Sequence, residues 1–396
     1  MKIAYICTEK LPSPAIKGGA IQMMIDGVSP YISQEFELTI FSISDPSLPE
    51  QSTHDNIHYV YFPQINYEQN VIKALQSNTF DIIHVFNRPK NIPLYQQASP
   101  DSKFVLGLHN DMLAEHKISI PEGNFITEIV TAIVTVSNYI KETVIERFPQ
   151  AEHKISVVYS GVNIKTSPPI WTRKGQEIRN EFRKKYSIQD KKVILFVGRL
   201  TKNKGPDILI HAMKEIVKVH KDAVLVIVGG KWFSDNRVNK YIKKLHKLAK
   251  PIKEHVIFTK FIPADQIHNI FLMGDIFVCS SQWHEPLARV HYESMAAGIP
   301  IITTNRGGNA EVITDEHNGC LIEEYNNPKE FSRLIQALLS QPEFAKLMAQ
   351  NGRQIVEKNF TFKHTANKLK QVYNQVTIQK KQPVENILRP IKIHFI

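Results

Sequence analysis

Along the first part of the chain, short runs of apolar and β-branched residues alternate with stretches whose apolar positions recur every three or four residues. KIAYICT, FELTIFSI, IHYVYF, DIIHVF, KFVLGLH, AIVTVS and ISVVYS read as strands, while the segments from about Ala20 to Ser33, around Val71 to Leu75 and from about Asn138 read as helices. Strands of this length separated by helices are joined by crossovers and lie parallel, which predicts a doubly wound α/β unit. Around NIKTSPPIWTRKGQEIRNEFRKKYSIQDKK the alternation lapses into prolines, charges and a polar helix. VILFVGRL restarts it. DILIHAMKEIVKVH, AVLVIVGG, NKYIKKLHKLAK, HVIFTKFI, IHNIFLMG, DIFVCSS, PIITTN, GCLIEE and two long helices then make up a second unit.

The pattern therefore divides the chain into a domain over residues 1–165 and another over 190–376, with residues 164–190 as a hinge-like connection. From Phe362 onward, Ala366, Leu369, Val372, Tyr373 and Val376 repeat at helical spacing and lead to an apolar tail, IKIHFI. The C-terminal segment, about 377–396, is expected to pack back on the first domain. Open α/β sheets bind ligands beyond the carboxyl ends of their strands, so two such sheets predict a site in the cleft between them.

Composition narrows the chemistry only a little. The 396 residues are 42% hydrophobic and 22% charged, as in a globular protein, and no run of eighteen apolar residues could cross a bilayer. MKIAYICTEK enters a strand without a secretory leader's long apolar stretch. Cys7, Cys279 and Cys320 are odd in number and widely spaced, which fits a reducing cytoplasm and offers no disulfide framework. A formal charge of +11 favours acidic partners such as nucleotides, anionic polymers or membrane surfaces. No zinc-finger spacing or aromatic–basic signature suggests a nucleic-acid partner.

Four constellations fall on strand-end loops. Gly18 and Gly19 in KGGA precede the first helix, where backbone N–H groups can approach an anion, although a plain turn would use the same pair. In FVGRLTKNKG, Arg199 and Lys204 follow a buried strand and could bracket a diphosphate; the plainer alternative is two solvated cations. HEPLARVHYESMAAGIPIIT sets Glu285 before a helix start near Leu287 to Val290 and Glu293 on its first turns. Amides there can meet phosphate oxygens, and a carboxylate can accept from sugar hydroxyls. In RGGNAEVI, Glu311 opens another helix after Gly307 and Gly308, where complementing that helix's own dipole is a sufficient role.

GRLTKNKG, EPLARVHYESMAAGIPIIT, GGNAEVI and NGCLI, in this order, resemble the GT-B glycosyltransferases of family 4, whose signature is two glutamates separated by seven residues. The likeness spans nearly the whole chain, including TVSNYIKE, VYSGVN and FTFKHTANKLKQVY. It implies two Rossmann-like domains facing a cleft, with a C-terminal helix crossing back. It also implies that Arg199 and Lys204 hold the diphosphate of a nucleotide sugar, Glu293 the ribose and Glu285 the transferring sugar. Gly18, Gly19 and the amides of Ala288, Arg289 and Val290 would complete the cradle, with Ile262 and Leu287 beside the nucleotide. His109, at the end of FVLGLHN, would face the sugar from the acceptor side; otherwise it is an ordinary strand-end histidine. Two positions depart from the pattern: Leu287-Ala288 replaces Phe-Gly, narrowing the approach to the phosphates, and Asn163 stands where aspartate is common.

The resemblance implies retention of anomeric configuration, a UDP-sugar donor before others and a glycan, lipid or protein acceptor. EKLPSPAIKGGA, VGRLTKNKGP, KWFSDN and CSSQWHEPLARVHYE look like spore-coat glycosyltransferases, which implies a mother-cell cytoplasmic location or the coat itself, with spore-coat proteins as partners. The chain has no DxD or HExxH motif, so no metal is expected and the cations must stabilise the leaving diphosphate. A catalytically weakened GT-B fold serving as a coat component is the alternative. A dinucleotide oxidoreductase is disfavoured, since GxGxxG is absent. The basic stretch over residues 239–253 reads as a solvated helix with a buried stripe, or as a contact for a membrane or polymer.

Overall fold

The computed structural model describes residues 1–232, 235–263 and 266–378. The first sheet contains β1 (Lys2–Ile6), β2 (Glu37–Ile43), β3 (Gln51–His54), β4 (Ile57–Phe62), β5 (Ile82–Phe86), β6 (Lys103–Leu108), β7 (Ala132–Thr135) and β8 (Ile155–Val157), in the order β3-β4-β2-β1-β5-β6-β7-β8. All its pairings are parallel except β3 with β4. The second sheet contains β9 (Lys192–Val197), β10 (Ala223–Val228), β11 (Val256–Lys260), β12 (Ile276–Cys279), β13 (Ile301–Thr304) and β14 (Cys320–Ile322), all parallel, in the order β11-β10-β9-β12-β13-β14. Each sheet separates two apolar clusters, so each domain is a helix–sheet–helix sandwich.

The strand order locates the ligand crevices. In the first sheet it reverses at β1 and β5, and in the second at β9 and β12. A doubly wound sheet opens at such a switch point because the flanking crossovers leave in opposite directions. Gly18 and Gly19 follow β1, Arg199 and Lys204 follow β9, and Glu285 follows β12.

The chain crosses between the domains twice, and the two crossings are bonded to each other. Val162 N donates to Phe360 O at 2.9 Å, and Val162 forms a parallel bridge with Thr361. Gly161 permits this approach, since a Cβ there would lie 2.5 Å from Phe362 N.

Two expected boundaries shift. The polar helix inside the 164–190 connection spans Arg173–Lys185 and belongs to the second domain. Arg179 donates to Leu272 O and Gly274 O at 2.9 and 2.8 Å, and Arg183 to Asp275 at 2.7 Å. The return to the first domain begins at Phe362 rather than about 377. Along the helix Phe362–Ile378, Ala366, Leu369, Val372, Tyr373 and Val376 enter the first domain's core, and Tyr373 joins the hydroxyl of Tyr5 and ring of His84. Residues 379–396, and with them the expected apolar tail, lie outside the described residues.

Candidate active site

At the end of β9, Arg199 lies half-buried with its guanidinium 4.5 Å from the centre of the Trp232 ring. Lys204 reaches the Glu285 carboxylate and forms an ion pair, with Glu285 only 4% exposed. The Ser281 hydroxyl donates to the same carboxylate oxygen at 2.8 Å. Burial alone would raise the Glu285 pKa, but the charge and hydrogen bond of Lys204, helped by Trp283 and Ser281, hold it below the usual carboxylate range. Glu285 is thus an anion at neutral pH, and Arg199 stands within its field.

The next loop is braced from below. Gly308 N donates to Glu285 O at 2.7 Å, and Gly307 bridges Glu285. Gly307 has φ of 60°, and a Cβ there would sit 2.2 Å from Glu285 O, so this turn accepts only glycine. Asn309 Oδ1 accepts the Ala288 N–H at 3.2 Å. The Ala288 amide, expected in the phosphate cradle, thus has a side-chain acceptor with which a phosphate would compete. The amides of Arg289 and Val290 stand where the helix Val290–Ala297 begins, a position at which helix geometry leaves N–H groups without intrahelical acceptors.

Glu293 is 7% exposed, with Arg289 3.5 Å away. Burial, outweighing the attraction of Arg289, raises its pKa above the usual range. Arg289 also donates to Ser160 Oγ and Gly161 O at 2.8 and 2.9 Å, tying the helix start to the domain crossing. The Leu287 and Ile262 side chains, expected beside the nucleotide, are buried at the edge of the second domain's apolar core.

From the first domain, Gly18 and Gly19 both have positive φ, 78° and 109°, and Gly19 caps the helix Ala20–Ile32. A Cβ on Gly19 would lie 2.6 Å from Gln22 Oε1. The half-buried His109 takes Asn87 Oδ1 on its backbone N–H at 2.7 Å. Burial, then the nearby charge of Arg289, pushes its ring pKa down to about 4, so the imidazole is neutral at pH 7. His109 of the first domain thus lies within the field of Arg289 of the second.

Glu311 departs from expectation. It lies on a short 3-10 turn, Gly308–Val312, and its carboxylate complements a different helix. Asn138 N and Tyr139 N, at the start of the helix Asn138–Arg147 in the first domain, each donate to it at 2.7 Å, and the Tyr159 hydroxyl donates at 2.8 Å. Beside this clasp, the rings of Tyr139 and His284 stack across the domain boundary with centroids 5.9 Å apart.

Buried polar atoms normally find partners, and the exceptions point to ligands. Among the described residues, Arg289 Nε, Arg306 Nε and Asn309 Nδ2 are buried donors without an acceptor on the segments flanking Glu285, while His84 Nε2, Thr135 Oγ1, His220 Nε2 and Tyr292 Oη are unpaired elsewhere. The region has donors to spare, as an anion site requires.

Two family models match the chain: Glycosyltransferase Family 4 over residues 32–166 and Glycosyl transferases group 1 over residues 178–355. YtcC of Bacillus subtilis (strain 168) is 56% identical over 380 residues, 96% of this chain and 93% of its own length. The chain is a group 1 glycosyltransferase. Spore coat protein SA of the same bacterium is 47% identical over 95% of this chain and the whole of its own length. The fold of the glycosyltransferase is GT-B: Anabaena HepE, solved with UDP-glucose, superposes with a TM-score of 0.75 at 19% identity, covering 95% of this chain and 100% of HepE. WaaG, a glycosyltransferase involved in lipopolysaccharide biosynthesis, superposes at 0.69 with 15% identity, over 93% and 99% of the two chains. Among the described residues of this glycosyltransferase, no helix is long and apolar enough to cross a membrane.

Proposed function

We propose that this enzyme moves a sugar from a nucleotide-diphosphate sugar, a UDP-sugar before others, to a glycan, lipid or protein acceptor, with retention of configuration and without a metal ion. The bond between the anomeric carbon and the β-phosphate oxygen breaks, and the diphosphate leaves with its electron pair. Arg199, Lys204 and the amides opening the helix Val290–Ala297 stabilise the growing negative charge. The leaving phosphate oxygen takes the proton of the attacking acceptor hydroxyl, so the acceptor oxygen bonds to the same face of the sugar. Glu293 holds the ribose, Glu285 the sugar, and neutral His109 borders the acceptor side.

One observation carries this reading: Arg199, Lys204 and Glu285 converge at the switch point between β9 and β12, next to a helix mouth and the unpaired buried donors Arg289 Nε and Asn309 Nδ2. The UDP and UDP-glucose held by HepE crystals support the donor class. Identity to Spore coat protein SA supports a product destined for the spore coat or a surface glycan. A donor-hydrolysis screen across nucleotide sugars tests it: hydrolysis of at least one UDP-sugar is expected, and inertness toward all of them rejects the reading.

A weakened enzyme retained as a coat component is the second reading. The Asn309 bond to the Ala288 amide favours it, because a phosphate must compete for that N–H. Failure to bind UDP would select it.

A further inference from the structure

Among the described residues, Arg199 and Arg306 are the two arginines whose guanidinium makes no hydrogen bond to the protein. Both are half-buried and both lie against an aromatic ring: Arg199 on Trp232 at 4.5 Å and Arg306 on Tyr325 at 3.7 Å. Both leave the carboxyl end of a parallel strand of the second sheet, Arg199 after β9 and Arg306 after β13. The first belongs to the donor site proposed above. The second has no role there.

The surroundings of Arg306 are built to hold it in place. Gln282 Nε2 donates to Tyr325 O at 2.6 Å, fixing the residue under the guanidinium. A flat guanidinium on a ring keeps its N–H edge directed outward in a defined plane, which suits a planar or tetrahedral anion. Arg306 Nε is buried without an acceptor. Nearby acids are committed elsewhere or stay apart. Glu311 accepts from Asn138 and Tyr139, Glu323 accepts from Asn305 at 2.7 Å, and Asp111 and Glu146, which act on Tyr139, make no ion pair with Arg306. Chain position puts Arg306 directly before Gly307, the residue bridged to Glu285. His284, one residue before Glu285, feels the charge of Arg306 and stacks on Tyr139 of the first domain. This corner therefore touches the sugar-side carboxylate and the acceptor-side domain together.

We infer that Arg306, seated on Tyr325 beside His284, is a subsite for an anionic group, carboxylate or phosphate, carried by the substrate on the sugar side of the donor diphosphate. The inference rests on the donor reading above for the meaning of that side. The anion has two sources, the acceptor or the transferred sugar itself.

The experiment titrates inorganic phosphate into the UDP-saturated full-length protein by calorimetry, in the wild type, Arg306→Gln and Arg306→Lys. With UDP filling the Arg199 side, phosphate reports on what remains. Uptake by the wild type, weakened at least tenfold in Arg306→Gln and less in Arg306→Lys, with UDP affinity changed less than twofold, is the expected result. A second arm compares UDP-glucuronate with UDP-glucose. Tighter binding of UDP-glucuronate that disappears in Arg306→Gln assigns the anion to the sugar; equal binding alongside Arg306-dependent phosphate uptake assigns it to the acceptor. Phosphate uptake that is absent or independent of Arg306, together with equal affinity for the two donors, overturns the subsite. If the wild type binds no UDP, the donor reading fails separately, and the phosphate titration without UDP still reads Arg306.

Discussion

Glu311, in the second domain, accepts the backbone N–H of Tyr139, in the first domain, at 2.7 Å. With Asn138 N and the Tyr159 hydroxyl on the same carboxylate, this is a charge-assisted clasp between two helix-bearing lobes. It also touches the donor loop, since Gly308 and Asn309 of the same turn hold Glu285 O and the Ala288 amide. One short segment therefore both contacts the first domain and braces the donor loop.

Removing the clasp should open the cleft without damaging either domain. Glu311→Ala loses a charged acceptor worth about 1.5–3 kcal/mol per bond. The expected outcome is a larger radius of gyration in solution scattering and a roughly 10–100-fold loss of transfer, with UDP affinity nearly unchanged because the charged donor residues Arg199, Lys204, Glu285 and Glu293 share one domain. Glu311→Gln, still able to accept, should fall between. An unchanged radius and unchanged transfer would show that the contact carries no mechanical load.

Lys204 and Glu285 form a pair whose loss should be visible in stability. Lys204→Ala leaves a buried carboxylate without its cation, which costs about 2–3 kcal/mol, at the lower end for such pairs because Lys204 is partly exposed. The sign with pH follows from the depressed Glu285 pKa. The pair's contribution is complete above the unfolded carboxylate pKa and fades as pH falls through the folded value. Denaturant midpoints of wild type and variant should thus differ most at neutral pH and converge in acid.

Glu293 should behave in the opposite way. Its folded pKa is raised, so its ionised form at neutral pH opposes folding, and this penalty fades as pH falls through the folded value and is gone below the unfolded one. Glu293→Gln is expected to melt at higher temperature at pH 7 and to lose donor turnover, with the thermal advantage shrinking toward acidic pH. A variant that melts lower at pH 7 while turning over donor normally would contradict both the electrostatics and the ribose role.

Much of this fold was legible in the sequence, and the parts that were not share a physical reason. The runs at β9, β10 and β12 are buried on both faces and read as continuous apolar segments. Strand β3 escaped because Gln51–His54 is a polar edge segment with no apolar face. The helices Ile92–Ala98 and Ile120–Ile129 escaped because each carries a proline at its start; the second nevertheless had a readable signal in Ser119 and Glu122, which form a capping box. At the site, local spacing marked Arg199, Lys204, Glu285 and Glu293 as a group. It could not show that Lys204 pairs with Glu285, that Asn309 occupies the Ala288 amide, or that Glu311 caps a helix more than 170 residues away. Those are tertiary contacts between chain segments with no shared periodicity.

Trp232 supplies a graded test of the Arg199 position. Its ring under the guanidinium contributes about 0.5–1 kcal/mol to holding the cation toward the cleft. Trp232→Ala should weaken UDP binding roughly 2–5-fold by calorimetry. Unaltered affinity would mean that Arg199 keeps its orientation without the ring.

The most direct check of the central claim is calorimetric titration of UDP into the wild type and Arg199→Ala. If Arg199 grips the departing diphosphate, the wild type binds UDP and the variant binds roughly 10–100-fold more weakly, the loss of one charged hydrogen-bonding group. Equal affinity in the two proteins would place the diphosphate elsewhere and contradict the account.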